Sequence, residues 1–518
     1  MIFTSPLPPV EVPAMPLTPF VLARVAEFAD KVAFIEGSSG TTMTYGEFER
    51  AVRTQAGGWL DAGLQPGEVV AVMAPNCPEY AVAFHAVALA GGVVTTINPT
   101  YTEREVSHQL KDAGASRLVV HALFGATAAA AADGTGVTER YSIGDADGYT
   151  PLSSVAGEPL GEQVGGAPDD LVVLPYSSGT TGLSKGVMLS HHNLVANIVQ
   201  GLGVLDFSSD DAYVAVLPFF HIYGMQVLMN MGLTVGATLV TMPRFDLPLF
   251  LQLHQDHKLT RAFVAPPMVV ALAKHPIVDQ YDLTSLHTIF SGAAPLSAEL
   301  AAECAERLGC EVIQGYGMTE LSPISHVTPP GQFKAGSVGV TVPLTEIQVV
   351  DPATGEAGGI DAVGELWVRG PQVMQGYLNN PAATASTIDP DGWLHTGDIA
   401  KVDTDGHVYI VDRLKELIKY KGFQVPPAEL EALLLTHPDV ADAAVIGVPD
   451  DEAGEIPAAF VVLREGKETT AADVQAFVAE RVAHYKQIRS LRFVEAIPKS
   501  PSGKILRRVL RDEAAQSR

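Results

Sequence analysis

The stretch LVVLPYSSGTTGLSKGV, residues 171–187, runs from a β-branched strand into a loop rich in serine, threonine and glycine. In such a loop, glycines let backbone N–H groups approach phosphate oxygens, hydroxyls add donors, and Lys185 adds positive charge. The loop is not a Walker A motif, because counting from Gly179 that motif needs glycine where Ser184 stands and serine or threonine where Gly186 stands. The stretch therefore predicts a strand followed by a phosphate-binding loop, with a flexible polar loop as the alternative.

Outward from this loop, short β-branched runs alternate with helix-like stretches. The runs include VVAVMAP (69–75), RLVVHA (117–122) and AYVAVLP (212–218), and the helix-like stretches include residues 45–62 and 78–90. Such alternation predicts an α/β fold of parallel sheets covered by helices. The Ala/Gly-rich segment 122–136 is typical of a surface excursion between two strands.

The composition indicates a soluble globular protein. The chain has 518 residues, with 33 Lys or Arg against 59 Asp or Glu, which gives a net charge of −26. A chain of this length predicts about two to four domains. The negative balance argues against a general nucleic-acid or anionic-membrane binder, because neither polyanion is attracted to such a surface.

The cysteines and the N-terminus predict a cytoplasmic protein. Cys77, Cys304 and Cys310 form neither a C-x-x-C pair nor an even disulfide framework, and prolines interrupt the first 16 residues where a signal peptide needs an apolar helix. Residues 212–243 contain no Asp, Glu, Lys or Arg and are long enough for a membrane span. Pro218 and several polar or glycine residues break that stretch, so we expect a buried strand, loop, helix and strand instead.

The sequence changes character near its C-terminal fifth. HVYIVDRLKELIKYKGFQVPPAELEALLLTHP, residues 407–438, predicts a strand, a charged turn and a second strand, after which Pro427 opens an amphipathic helix with Leu430, Leu433 and Leu434 on one face. We place a domain boundary between residues 412 and 415. The predicted domains are therefore 1–412 and 413–518.

Several motifs occur together in one order. They are SSGTTGLSKG (177–186), QGYGMTE (314–320), GELWVRG (364–370), HTGDI (395–399), VDRLKELIKYKGFQVPPAELEALLLTHP (411–438) and PKSPSGKILRR (498–508). Through these motifs and their order, the chain resembles the adenylate-forming superfamily of acyl-CoA synthetases, luciferases and peptide-synthetase adenylation domains. Within that superfamily it resembles the 4-coumarate:CoA ligases. The resemblance implies a large N-terminal α/β domain of helix-covered, mostly parallel sheets with a β-barrel-like subdomain, and a small, mobile α+β C-terminal domain.

The family chemistry implies ATP, CoA and Mg²⁺. A carboxylate attacks the α-phosphate of ATP to give acyl-AMP and pyrophosphate, and a thiol then displaces AMP, so positive charge is needed where two anions meet. The resemblance assigns Glu320 to Mg²⁺, a hard cation suited to one carboxylate plus phosphates. The residues that it assigns to ATP or AMP are Ser177, Ser178, Gly179, Thr180, Thr181, Lys185, Gln314, Gly315, Tyr316, Gly317, Thr319, Asp398 and Arg413.

Lysines of the last hundred residues carry the implied catalysis. Lys504, in a basic tail, matches the residue that bridges the carboxylate and the α-phosphate as a point charge. Lys419 and Gln424 match a second catalytic pair, while Lys421 and Gly422 match positions facing CoA. Lys504 and the residues of segment 419–424 cannot occupy one site at once. The resemblance therefore implies rotation of the C-terminal domain about a hinge at Lys415. Without the motifs, each lysine would be a solvated surface residue.

Two further residues match functional positions on the N-terminal side. His221 matches the histidine that gates the acyl and thiol tunnels, with a structural histidine as the alternative. Arg244 falls where related ligases carry a basic residue for the phosphate end of CoA, with a solvated loop arginine as the alternative.

The implied acid pocket is altered from that of plant ligases. Its candidate residues are Tyr223, Gly224, Gln226, Met268, Phe290, Gly292, Ala293, Ala294 and Gly315. Plant 4-coumarate ligases carry Asn where this chain has Gln226 and Lys where it has Phe290, so the polar partners of a 4-hydroxyl differ. The pocket is expected to be apolar around the ring, unless Phe290 is core packing remote from it.

The expected function is ATP-dependent ligation of cinnamate or 4-coumarate to CoA through an acyl-AMP intermediate, with release of AMP and pyrophosphate. A medium- or long-chain fatty acyl-CoA ligase or a luciferase-like oxygenase shares every nucleotide motif. A non-catalytic acyl- or nucleotide-binding relative would be expected to lack Lys504 or Glu320, and a peptide-synthetase module would be expected to continue into a carrier domain. The expected partners are a small carboxylic acid, ATP and CoA, without nucleic acid or a membrane span, and the expected state is a monomer or weak homodimer.

Overall fold

The loop-bearing strand lies inside a mostly parallel sheet. The structure, a computed structural model, describes residues 1–177, 184–421, 423–450, 453–500 and 503–516, without the side chains of Gln424 and Gln516. In this part of the chain one sheet has eight strands, in the order Gly376–Tyr377, Lys185–Ser190, Leu171–Ser177, Val93–Thr96, Val69–Met73, Arg117–His121, Glu139–Ile143 and Thr150–Pro151. The first two strands are antiparallel to their neighbours and the rest run parallel. Lys185 stands directly opposite Ser177, so the two ends of the loop face each other.

A second sheet carries the QGYGMTE motif and Phe290. Its nine strands follow the order Val340–Thr341, Ile324–Val327, Glu311–Gly317, Thr288–Ser291, Arg261–Val264, Ala212–Ala215, Thr238–Thr241, Val32–Glu36 and Thr42–Thr44. The uncharged stretch 212–243 forms the strand Ala212–Ala215, a π-helix Tyr223–Met231, a short helix Gly232–Val235 and the strand Thr238–Thr241, as the sequence predicts. Among the described residues, no helix has both the length and the apolar character to cross a bilayer.

Two smaller sheets complete the fold. An antiparallel half-barrel sheet contains the strands Phe3–Thr4, Glu346–Val350, Gly364–Arg369, Leu394–Val402 and Val408–Arg413. The C-terminal sheet contains Phe423–Val425, Ile418–Tyr420, Gly454–Leu463 and Val440–Asp450, and Ser490–Phe493 pairs in parallel with Gly454–Leu463. The predicted α/β fold with a β-barrel-like subdomain and an α+β C-terminal part is confirmed.

The helices begin where the sequence supplies caps. Thr44 and Glu47 form a reciprocal capping box, and Pro78 and Pro427 stand at first helical positions, where no N–H is needed. The α-helices of the described residues are Leu17–Leu22, Tyr45–Asp61, Pro78–Leu89, Glu103–Asp112, Gly125–Ala132, His191–Leu202, Gly232–Val235, Leu247–His257, Pro266–Lys274, Ala298–Leu308, Pro381–Thr387, Pro427–Leu435, Ala471–Ala479 and Arg507–Gln516.

The prediction of a surface excursion over residues 122–136 is wrong. Gly125–Ala132 is a helix, and Ala128, Ala131 and Ala132 are buried in a core shared with the strand Arg117–His121. Alanine is small enough to let this helix pack closely on the sheet, and its methyl groups still remove apolar surface from water.

The hydrophobic cores divide near the predicted domain boundary. The largest core and its packed neighbours reach only to Ile410, whereas two small cores begin at Ile418 and Ala444. Leu430 and Leu434 are fully buried in one of the small cores, with Leu433 packed against it, as the helical pattern predicts. One hydrogen bond that crosses the boundary runs from the Ala428 N–H to Asp412 Oδ2, at 3.0 Å.

A buried ion cluster ties the last helix to the segment after the boundary. Arg507 Nη2 donates to both carboxylate oxygens of Glu431 at 2.8 Å, and its Nη1 lies 3.2 Å from Glu416 Oε2. All three side chains are 11 % exposed. Burial raises the pKa of Glu431 to about 7, against the opposing effect of Arg507. A bidentate, desolvated arrangement of this kind makes charge pairs geometrically specific.

Asn197 fixes the segment that follows the QGYGMTE motif. Its side chain is fully buried in the helix His191–Leu202. Asn197 Nδ2 donates to the Ile324 carbonyl at 2.8 Å and Asn197 Oδ1 accepts from the Ile324 N–H at 3.1 Å. The two bonds hold both backbone groups of Ile324, four residues after Glu320.

Replacement of Asn197 by Leu is expected to destabilise the fold, because both backbone groups of Ile324 lose a partner. A buried polar group left unpaired costs about 1 to 3 kcal/mol. Urea unfolding followed by tryptophan fluorescence should show a lower midpoint for Asn197→Leu. Arg50→Leu, at an exposed helix position, is the control and should stay within about 0.5 kcal/mol of the parent. Equal midpoints for both variants would contradict the assigned role.

Candidate active site

The carboxylate of Glu320 is held from two sides. Ser177 Oγ, at the end of the loop-bearing strand, and the Tyr377 hydroxyl each donate to Glu320 Oε1 at 2.9 Å. Glu320 is buried, and within the described part of the chain its Oε2 receives no hydrogen bond. Lys185 Nζ lies 4.6 Å from the centroid of the Tyr377 ring. Residues of three separate segments thus meet beside the glycine-rich loop.

A second polar group lies where the half-barrel meets the nine-stranded sheet. The Tyr316 hydroxyl donates to Asp398 Oδ2 at 2.6 Å, and Arg413 Nε lies 3.3 Å from Asp398 Oδ1. Asp398 and Arg413 are direct partners on adjacent antiparallel strands, which places both side chains on one face. Burial raises the pKa of Asp398, while Arg413 and the bond from Tyr316 oppose that rise.

Lys504 approaches these groups from the C-terminal part of the chain. The loop before it docks closely, since a Cβ on Gly503, which has φ of +83°, would lie 3.0 Å from Ala265 Cβ and 3.3 Å from Pro267 Cδ. Burial and the positive charge of Arg413 lower the pKa of Lys504 to about 8, and the carboxylates of Asp398, Glu416 and Glu320 oppose that shift. Lys504 therefore shares one electrostatic cluster with Arg413, Asp398 and Glu320.

His221 borders the same cluster. Burial, and secondarily the charge of Lys504, lowers its pKa to about 4, so its imidazole is neutral at pH 7. His221 Nδ1 accepts from the Tyr223 N–H at 3.3 Å, which fixes the ring at the start of the π-helix. A neutral histidine at this position can accept or donate a hydrogen bond without adding charge beside Lys504.

Tyr223 and Gly315, two of the predicted acid-pocket residues, lie against the Phe290 ring. The ring lies edge-on to Tyr223, with centroids 6.1 Å apart, and a Cβ on Gly315 would lie 2.5 Å from Phe290 Cζ. A Cβ on Gly292 would lie 2.9 Å from the Tyr223 ring. Phe290 is thus not remote from these candidate residues, and the rings of Phe290 and Tyr223 occupy the space that a Cβ on either glycine would need. Met268 is buried as well, and Ala293 adopts a positive φ of 72°.

The side-chain amide of Gln226 already has hydrogen-bond partners within the protein. It is fully buried; its Nε2 donates to the Leu194 carbonyl at 2.7 Å and its Oε1 accepts from Asn230 Nδ2 at 2.9 Å. Gly224 leaves no space for a side chain, since a Cβ there would lie 2.2 Å from the Pro218 carbonyl oxygen. The amide of Gln226 is consequently tied to the helices rather than aimed freely at a ligand.

Several predicted residues are not brought to the cluster. Lys415, Lys419, Lys421 and Arg244 are exposed. Lys419 and Lys421 lie on or beside the hairpin Ile418–Tyr420 and Phe423–Val425, where the Lys419 N–H donates to Glu455 Oε2 and the Lys421 N–H to the Ala453 carbonyl, both at 2.8 Å. Ser178, Gly179, Thr180, Thr181, Gly422 and the side chain of Gln424 lie outside the described residues.

The remaining nucleotide candidates are placed at the end of the strand Glu311–Gly317. Gln314 and Thr319 are buried, and Gln314 Nε2 has no hydrogen-bond partner among the described residues. A Cβ on Gly317 would lie 1.9 Å from the Pro323 carbonyl oxygen, so only glycine permits this turn. Between the two glycines, Tyr316 contacts the Asp398 group through its hydroxyl.

Sequence reasoning missed two neighbours of the site. Tyr377 contacts Glu320 from 57 positions along the chain, because its short strand pairs with Lys185–Ser190. Glu416 contributes charge beside Lys504 and stands directly after Lys415. The glycine before Tyr377 and the D-R-L-K-E turn were the available signals, but neither specifies a contact partner.

Comparisons with known proteins find relatives over nearly the whole chain. The family model "AMP-binding enzyme" matches residues 21–378, and "AMP-binding enzyme C-terminal domain" matches residues 429–504. A 4-coumarate–CoA ligase 3 of Oryza sativa subsp. japonica is 45% identical over 99% of this chain and 95% of its own. A 4-coumarate–CoA ligase of Pinus taeda is 44% identical, over 99% and 98%. The solved anthranilate CoA ligase AuaEII in complex with anthranoyl-AMP is 27% identical, with a TM-score of 0.91 and 98% of each chain covered.

Replacement of Asp398 by Asn is expected to lower the pKa of Lys504 below about 8, because the carboxylate of Asp398 favours the charged ammonium. Competitive labelling of lysines with acetic anhydride across a pH series, read by mass spectrometry, measures this pKa directly. Asp403→Asn, in the same half-barrel but paired with Lys334, is the matched control and should leave Lys504 unchanged. A Lys504 that labels only at higher pH in Asp398→Asn would contradict the assignment.

Proposed function

The chain belongs to the AMP-binding enzyme family, and from that membership we propose that it is an AMP-forming acid:CoA ligase acting on cinnamate or 4-coumarate. The resemblance inferred from the motifs is confirmed. The observation that carries the proposal is the convergence of Lys504, Asp398 with Arg413, and Glu320 on one cluster. A non-catalytic relative has no need for a desolvated lysine beside these carboxylates.

We propose that Glu320 holds Mg²⁺. The residues fit this group: Glu320 is a buried carboxylate whose Oε1 is fixed by two hydroxyls, and in the described part of the chain its Oε2 receives no hydrogen bond. The described residues contain no group of three or more His, Cys, Asp or Glu that could hold a metal. A cation held by one carboxylate must complete its shell with phosphate oxygens and water, which suits Mg²⁺. Bound there, Mg²⁺ would neutralise charge on the pyrophosphate group.

The protein's own residues would divide the adenylation step between them. Lys504 supplies a positive charge where the carboxylate approaches the α-phosphate, and Lys185 supplies one beside the glycine-rich loop. Asp398 keeps lone pairs for the ribose hydroxyls, although Tyr316 and Arg413 already contact its two oxygens. Neutral His221, which lies near Lys504 and accepts from the Tyr223 N–H, would take the gating role between the acyl and thiol tunnels that its motif implies.

We further propose domains at 1–412 and 413–518 that rotate about Lys415. The division of the hydrophobic cores between Ile410 and Ile418 supports this boundary. The observed orientation presents Lys504 to the cluster and leaves Lys419 and Lys421 exposed. Rotation would replace Lys504 at the site by Lys421 and Gly422, which would meet CoA together with Arg244. The motif match assigns Lys419 and Gln424 to the adenylation step instead, as an accessory pair.

We also propose that the protein is cytoplasmic. Cys77, Cys304 and Cys310 are free thiols, and burial raises the pKa of each, which supports a reducing cytoplasm. A monomer or weak homodimer is proposed from the sequence, and sedimentation velocity at several protein concentrations tests it.

The activity is tested by adding ATP, Mg²⁺ and a panel of acids, and measuring pyrophosphate release and then acyl-CoA by mass spectrometry. Cinnamate and 4-coumarate should give both products. Release of pyrophosphate only with fatty acids would replace the proposal by the fatty acyl-CoA ligase, and no release with any acid would favour the binding relative.

Lys504→Ala is expected to abolish acyl-AMP formation while leaving thioesterification of supplied acyl-AMP largely intact. Loss of an oriented charge at a developing anion costs about 10² to 10³ in rate. The two half-reactions are measured separately, as pyrophosphate release and as acyl-CoA formation from synthetic acyl-AMP. Lys467→Ala, an exposed lysine of the same C-terminal part, is the control. Equal damage to both half-reactions would contradict the role of Lys504.

Cinnamate is expected to be used at least as well as 4-coumarate, and caffeate much worse. Phe290 presents an apolar ring, and Gln226 has both amide ends occupied, so a phenol buried there costs about 1 to 3 kcal/mol. Because apolar pockets reject an added hydroxyl poorly, the gap between cinnamate and 4-coumarate should be modest. The measurement is kcat/KM for the three acids in the parent and in Phe290→Lys. A preference for caffeate would contradict the apolar pocket, and an unchanged order of the acids in Phe290→Lys would exclude Phe290 from that pocket.

A further inference from the structure

Tyr377 contacts two charged groups of the site, one with its hydroxyl and the other with the face of its ring. Its hydroxyl donates to Glu320 Oε1 at 2.9 Å, and Lys185 Nζ lies 4.6 Å from its ring centroid. Neither the sequence motifs nor the comparisons assign it a role. Because Tyr377 is buried, it cannot make these contacts by swinging freely in solvent.

The backbone of Tyr377 is anchored independently of the site. Its N–H donates to Thr384 Oγ1 at 2.9 Å, on the adjacent helix Pro381–Thr387. The preceding Gly376 has φ of +145°, and a Cβ there would lie 2.8 Å from Thr384 Cγ2. The ring therefore projects from a fixed point toward Glu320 and Lys185.

The sheet sets the contact between the ring and Lys185. Tyr377 pairs directly with Val187 on the neighbouring antiparallel strand. Lys185 precedes Val187 by two residues and so points to the same face, diagonal to Tyr377. A lysine above an aromatic face is attracted by the negative face of the ring, which holds the ammonium without a counter-charge. The charge of Lys185 thus remains available for an anion.

The hydroxyl sets the rotation of the Glu320 carboxylate. Ser177 Oγ and the Tyr377 hydroxyl both donate to Oε1, and Oε2 receives no hydrogen bond from the described residues. Two donors on the same oxygen prevent the carboxylate from turning and direct Oε2 away from both hydroxyls. An outer hydrogen bond of this kind orients a metal-binding carboxylate.

We propose that Tyr377 is a positioning residue that fixes the cation-binding oxygen of Glu320 and the ammonium of Lys185 relative to each other for binding of magnesium-loaded ATP. The inference rests on the proposed function and extends it by one residue. The two ends of Tyr377 are separable by substitution. Tyr377→Phe removes only the hydroxyl, whereas Tyr377→Leu removes the aromatic face as well.

Calorimetric titration of ATP with and without Mg²⁺ tests the proposal without turnover. Tyr377→Phe is expected to weaken the binding of ATP in the presence of Mg²⁺ by about 10-fold, the usual cost of losing an outer-shell hydrogen bond. Its binding of ATP in EDTA should match the parent, because the ring still holds Lys185. Tyr377→Leu should weaken both. In kinetics, the Mg²⁺ concentration for half-maximal pyrophosphate release should rise in Tyr377→Phe, and thioesterification of supplied acyl-AMP should stay unchanged.

The chain offers a matched control in Tyr409. Its hydroxyl donates to Asp403 Oδ2 at 3.0 Å and Lys401 Nζ lies 5.2 Å from its ring centroid, so it makes the same two contacts in the half-barrel with residues outside the site. Tyr409→Phe should bind ATP like the parent under both conditions. Thermal unfolding of each variant, expected to match the parent for Tyr377→Phe, separates positioning from simple loss of packing.

Parent-like binding of magnesium-loaded ATP by Tyr377→Phe would overturn the proposal. So would an equal loss with and without Mg²⁺ accompanied by a lower unfolding temperature, since that pattern belongs to a packing role. Failure of the proposed function can be distinguished from failure of the role of Tyr377. If the parent protein releases no pyrophosphate with any acid, calorimetry still shows whether Tyr377 controls the effect of Mg²⁺ on ATP binding.

Discussion

The balance of charge around Lys504 is the constraint on which the rest of the site depends. Burial alone would drive this ammonium toward its neutral form, and Arg413 acts in the same direction. Asp398, Glu416 and Glu320 counter both effects, so the pKa of Lys504 is about 8 and the lysine keeps most of its charge at neutral pH. In a chain with a net charge of −26, positive charge is scarce, and here it is delivered by a loop whose Gly503 packs directly on Ala265 and Pro267. Any substitution that lifts that loop removes the charge from the site.

The sequence predicted the fold where patterns are local. Helix starts at Tyr45, Pro78 and Pro427 follow from capping residues and proline, and the strand Leu171–Ser177 follows from an unbroken apolar run buried on both faces. The helix Gly125–Ala132 escaped prediction because a run of alanines has no polar face and hence no period. Only the packing against the neighbouring strand reveals which methyl groups are buried.

The residues of the site were predictable where a sequence motif by itself indicates a chemical role. Lys504, Asp398, Arg413 and Glu320 were named from the sequence and the structure brings them together. The contacts of Tyr377 could not be foreseen, because they depend on a two-residue strand pairing with a strand almost two hundred positions earlier. The tied amide of Gln226 likewise depends on Leu194 and Asn230, which no local pattern links to it. A single sequence does not determine side-chain partners that depend on pairing between distant segments.

The ion cluster of Arg507, Glu416 and Glu431 has a mechanical consequence. It ties the last helix, the helix Pro427–Leu435 and the segment after the proposed hinge together. In the proposed rotation these elements would move as one piece and carry with them the Lys504 loop, which directly precedes the last helix. The free energy of turning would then depend on the surfaces that separate and not on the packing inside the C-terminal part. Turnover rate could accordingly be tuned at Ala265 and Pro267, where the loop seats, while the small cores of the C-terminal part stay untouched.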